Sequence, residues 1–137
     1  MHRLNNQQKI YETMQKTQIL LRCYLSCVMN IKQKEILWNF LCQSNRYMQQ
    51  FRSAVSATGE YLDEITVWNT MRLYSKGYAY RYFSSTAIEV VVSSLLSNAD
   101  NRITMLSAGI KPGSRSYFAT QRYLDVIAQT QYFMQAP

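Results

Sequence analysis

The sequence predicts an all-α protein, a single-domain bundle of about five helices over residues 1–137. Three observations carry that reading. No proline occurs before Pro112, so over most of the chain nothing locks φ or removes a backbone donor from a helix. Glycine occurs only at Gly59, Gly77, Gly109 and Gly113, and the stretches between these breaks have helical length. Within those stretches apolar residues recur at threes and fours, the period of one helix face. The expected helices fall at roughly 6–30, 33–57, 60–76, 86–108 and 115–134.

The first expected helix carries Ile10, Met14, Leu21, Tyr24, Val28 and Ile31 on one stripe, and the second carries Leu37, Leu41, Met48, Phe51 and Val55. Extending the first stripe would bring Glu35, Asn45 and Arg52 onto the apolar line, so the two are out of phase. The spacing therefore predicts two helices meeting near residues 30–34, with one bent helix as the alternative. Thr58-Gly59 followed by Glu60, Asp63 and Glu64 marks the third start, a hydroxyl cap and then acids where the helix dipole favours them. Tyr61, Ile65 and Trp68 follow, and Lys76 closes before Gly77.

Residues 78–83 (YAYRYF) alternate aromatics as a strand would, but a lone strand is unstable, so a loop or helix start is preferred. Ser84, Ser85 and Thr86 offer caps for a fourth helix with a stripe of Ile88, Val92, Leu95, Ala99, Ile103 and Leu106. Val90 to Val92 pull toward a strand, and the longer period outweighs them. Gly109 to Gly113, with Pro112 inside, reads as a stop. Ser114 or Ser116 then caps a last helix with Tyr117, Leu124, Ile127 and Met134.

Composition excludes several classes. With 13% aromatic and 17% charged residues the chain is not of the highly charged, apolar-poor kind that stays disordered. The 47% hydrophobic fraction includes 11 tyrosines, so the apolar core is lean. The most apolar early stretch, residues 18–30, is interrupted by Arg22, unlike a secretory signal. The best later run, residues 87–96, holds Glu89 and falls short of the roughly 20 residues a membrane span needs. Three cysteines, an odd number, point to a reducing interior, and the expected location is cytoplasmic. Cys23 and Cys27, four apart on a helix, are read as small buried apolar side chains.

Ordinary catalytic machinery is not legible. The sole histidine, His2, sits in a terminus and is a poor candidate for a base or ligand. Cys23, Cys27, Cys42 and His2 lack the paired spacing of a zinc site. Glu60, Asp63 and Glu64 are explained as first-turn acids without a cation. Glu89, among Ile88 and the valines, is expected on the outer side of its helix; buried, it would need a partner. No nucleotide, dinucleotide or hydrolase motif occurs. No enzyme, metal or cofactor is expected.

Two stretches combine bases, aromatics and flexible backbone: residues 76–83 and residues 111–118, the latter continuing to Arg122 and Tyr123. Tyr, Trp and Arg supply most interface hot spots. The favoured expectation is a non-enzymatic adaptor, inhibitor or assembly subunit. It would dock on a larger, acidic protein partner or on a second copy of itself, through Tyr78, Tyr80, Arg81, Tyr82, Arg115, Tyr117 and Arg122. Residues 1–58 carry eight Lys and Arg against Glu12 and Glu35, most of the net +7, which gives the rival reading. That rival binds nucleic acid, with Lys32, Lys34, Arg46, Arg52, Lys76 and Lys111 on phosphates and tyrosines stacked on bases. Eight of the twelve glutamines lie in the first 50 residues, a weakly charged polar side that suits a wet contact.

Overall fold

The structure, a computed structural model, describes residues 2–25, 30–55 and 85–135. The described residues are helical, with no strand among them, and form a helical bundle. They hold α1 (His2–Leu25), α2 (Ile31–Ala54), α3 (Ser85–Leu106), a 3-10 turn (Ser107–Gly109) and α4 (Arg115–Gln135). The expected helix at 60–76 and the loop or helix start at 78–83 lie outside the described residues.

Two of the helix starts are set by a polar side chain. Asn30 has an extended backbone (φ −78, ψ 124) and its side chain accepts from the Gln33 amide at 3.2 Å, which satisfies a donor that has no partner inside the helix. That cap ends the question of one bent helix: residues 31–54 start afresh, out of phase with α1. Ile31, expected on the first apolar stripe, is instead the exposed first residue of α2, 74% accessible. Ser114 plays the same part for α4, its hydroxyl accepting from the Tyr117 amide at 3.2 Å and donating to the Lys111 carbonyl at 2.7 Å. The preceding Gly113 has φ +85, a left-handed conformation that side chains resist.

The valine run is helical because a helix turns it to three sides. Val92 is fully buried, Val91 is half-buried and Val90 is exposed. In α4 the buried stripe is Ala119, Tyr123, Val126, Ile127, Thr130 and Met134, with Tyr117 and Leu124 half-buried at its flank. Tyr123 is therefore core rather than the end of a surface aromatic stretch. Its ring meets Phe40 edge-on at 6.3 Å, and its hydroxyl donates to the Met14 carbonyl at 3.1 Å.

Helix α2 packs most extensively on α4; α1 packs on α2 and α3, and α3 on α4. Arg102 of α3 donates to Thr13 of α1 at 3.2 Å, and Gln131 of α4 donates to Ser97 of α3 at 2.9 Å. These pairings make α1 antiparallel to both neighbours and α4 antiparallel to both of its own. The helices thus run up, down, down and up.

The lean apolar content is offset by threonines that satisfy themselves. Buried Thr13, Thr17, Thr120 and Thr130 each donate to the carbonyl four residues earlier at 2.7 Å, so their hydroxyls enter the core without an orphaned donor. Gln18, also buried, donates to fully buried Ser44 at 2.9 Å. Glu89 departs from the expected outer position. It is half-buried and accepts from the side-chain amide of buried Gln33, because α2 and α3 begin at the same end of the bundle. Cys23 is buried and Cys42 exposed.

Candidate binding surface

Helix geometry gathers one group of the sequence-selected residues at the lower end of the seam between α2 and α4. The Ser114 cap fixes the start of α4. From there Arg115, Phe118 and Arg122 follow at three- and four-residue steps on one flank, outside the buried stripe. Phe118 is 52% accessible, and the Arg122 guanidinium lies over its ring, 5.0 Å from the centroid. This cation–π contact holds an arginine and an aromatic together as one exposed unit. Facing them from α2 is Gln50, which with Gly113, Ser114, Arg115 and Phe118 lines a depression of about 480 Å³. Arg46 is one turn before Gln50 on the same side of α2, and both are exposed.

Bases outnumber acids here, with Asp125 exposed on the same flank three residues beyond Arg122. Lys111 is exposed in the turn before α4 and Arg52 is half-buried in the last turn of α2. No acid is among the described residues lining the depression, and the nearest along α4 is Asp125.

Further up the seam the character changes. A cavity of about 280 Å³ is bounded by apolar Ile36, Phe40 and Phe133 and by Lys32, Glu35, Asn39, Gln43, Gln129 and Thr130. Phe40 and Thr130 are buried, and Phe133 is 46% accessible. Tyr132, 70% accessible, meets the Phe133 ring edge-on at 5.6 Å.

Not every expected residue joins this surface. Tyr78, Tyr80, Arg81, Tyr82 and Lys76 lie outside the described residues. Tyr117 is half-buried against the core. Lys32 and Lys34 stand at the upper end of α2, apart from Arg46 and Arg52, and Lys32 lines the upper cavity. Phe118 falls inside the expected stretch at residues 111–118 without being among the expected contacts, and Phe133 falls outside both stretches. The four-residue step from Phe118 to Arg122 is a signal for the first. Phe133 carried none, because the partner face of α2 has to be known.

Among the described residues no three His, Cys, Asp or Glu side chains group as a metal would require, and no helix is long and apolar enough to cross a membrane. Glu60, Asp63 and Glu64 fall outside them. The chain matches no protein-family model, and neither the curated proteins nor the solved structures hold a significant match.

Proposed function

We propose that this chain is a non-enzymatic helical binding protein, an adaptor, inhibitor or assembly subunit that docks on a larger, acidic protein through the α2–α4 seam. The observation that carries the proposal is Arg122 stacked over exposed Phe118, with Arg115 and no acid in the depression that Phe118 lines. Burying the ring supplies affinity, while the arginines steer an acidic surface and fix its register. Arg81 and the tyrosines of residues 78–82, outside the described residues, are kept as proposed contacts of the same partner. The odd cysteine count supports a reducing, cytoplasmic setting.

The nucleic-acid reading is weaker. Its α2 bases divide into Lys32 and Lys34 at one end and Arg46 and Arg52 at the other, with twelve residues from Lys34 to Arg46, about 18 Å of helix. A phosphate track would favour a continuous row.

The test is affinity capture with nuclease treatment, comparing the wild-type chain with the R115E/R122E variant. Loss of acidic partner proteins on charge reversal is the expected result. An unchanged set of captured proteins overturns the proposal, and a salt-sensitive DNA or RNA gel shift in its place would install the rival.

A further inference from the structure

We propose that the occupant of the α2–α4 seam is an amphipathic helix of the partner, acidic in one half and presenting a single bulky apolar side chain in the other. The inference rests on the protein-docking reading above and names the element that docks. It follows from the two unlike ends of the seam. The lower half offers Arg122 over the exposed Phe118 ring and Arg115 beside it in one depression, with Arg46 exposed on α2 one turn from Gln50. The upper half offers a cavity of about 280 Å³ in which Ile36, Phe40 and Phe133 supply the apolar surface, with Lys32, Glu35 and Gln129 among its polar lining. That volume falls just under the ~300–1,000 Å³ of small-molecule pockets, and suits one Leu, Phe or Trp side chain. Carboxylates at the lower end and an apolar anchor at the upper end complement both halves at once.

Length and backbone chemistry then select a helix. Phe118 and Phe133 are fifteen residues apart on α4, about 22 Å at 1.5 Å per residue, so a partner helix of about four turns spans the two ends. An extended peptide would need backbone partners along its length, and a seam between two helices has few to give because their own peptide groups bond internally. A helical occupant satisfies its own backbone and asks the seam only for side-chain contacts. Asn39 and Gln43, on the α2 side of the seam, provide the polar rim such a groove needs.

The experiment uses the full chain and three fluorescently labelled probe peptides of about 18 residues. The first is an Ala-based helix with four glutamates in one half and one leucine in the other. The second replaces the leucine by serine, and the third keeps the first composition with a central proline pair. Fluorescence anisotropy at low salt is expected to show binding of the first peptide and about tenfold weaker binding of the other two. R115E/R122E, R46E and F133S, all exposed positions whose folding is checked by circular dichroism, are each expected to weaken the first peptide by about tenfold.

Equal binding of the proline-broken or serine peptide overturns the helical occupant while leaving an acidic partner in place. Unaltered affinity in R115E/R122E overturns both this inference and the reading beneath it. Failure of all three peptides overturns the inference alone, since the capture experiment decides the docking reading separately.

Discussion

The Tyr123 hydroxyl donates to the Met14 carbonyl at 3.1 Å, across 109 residues of chain and between two helices, α4 and α1, that face each other across the core. Phe40 of α2 closes on the same ring edge-on. Three of the four described helices therefore meet on one side chain that is fully buried. The seam that carries Phe118 and Arg122 is held in register by the helix that Tyr123 anchors.

Replacing Tyr123 by Phe should keep the packing and remove the bond. The expected loss is about 1 kcal/mol of unfolding free energy, read as a lower urea midpoint with an unchanged slope. Tyr123→Ala should cost about 3–5 kcal/mol, because it leaves a cavity as well. A Phe variant as stable as the parent would show that the bond contributes nothing net.

Burial also pushes the Tyr123 phenol above its ordinary value of 10.0, with the Thr17 hydroxyl beside it pulling the other way. The native state therefore keeps a proton that the unfolded chain releases once the pH passes the unfolded value. The stabilisation from neutral Tyr123 is complete below about pH 10 and is lost above it, at up to about 1.4 kcal/mol per pH unit. Urea midpoints from about pH 9 to about pH 11 should fall more steeply for the parent chain than for Tyr123→Phe. Parallel curves would contradict this.

What could be read in advance, and what could not, follows from the range of each interaction. The missing prolines and the three-and-four spacing of Leu37, Leu41, Met48 and Phe51 are local, and those residues are all buried. The phase change near residue 30 was legible, because one stripe cannot serve both sides of it; Asn30 as the cap supplies the mechanism. Tyr123 was misread because tyrosine has an apolar body and a polar tip, and its partner is a distant carbonyl that no local pattern announces. The upper cavity needed the pairing of α2 with α4, which helix periodicity does not specify. Glu89 likewise required α2 and α3 to start at the same end before Gln33 could reach it.

The Gln18–Ser44 pair offers a test of the polar core. Ser44→Ala should leave the buried Gln18 amide without its 2.9 Å acceptor, at about 1–3 kcal/mol. Adding Gln18→Met removes the orphaned group, so the double variant should be more stable than the sum of the two single losses predicts. A double-mutant cycle with a coupling energy below about 0.5 kcal/mol would remove the bond from the list of interactions that hold α1 to α2.

Two glycines near the start of α4 should respond in opposite ways to the same change. A methyl group added at Gly109 or at Gly113 would meet nothing within 4 Å, so packing does not separate them. Gly113, at φ +85, lies where an L side chain is strained, and Gly113→Ala should cost about 1–2 kcal/mol. Gly109 ends the 3-10 turn, outside that region, so Gly109→Ala should be neutral or stabilise by up to about 1 kcal/mol by narrowing the unfolded ensemble. Because Gly113 borders the depression beside Arg115 and Phe118, its variant should also weaken the acidic helical probe, whereas Gly109→Ala should leave probe affinity unaltered. Thermal melts and anisotropy on the two variants check both halves, and equal loss in the two would show that backbone conformation at Gly113 is not what sets the start of α4.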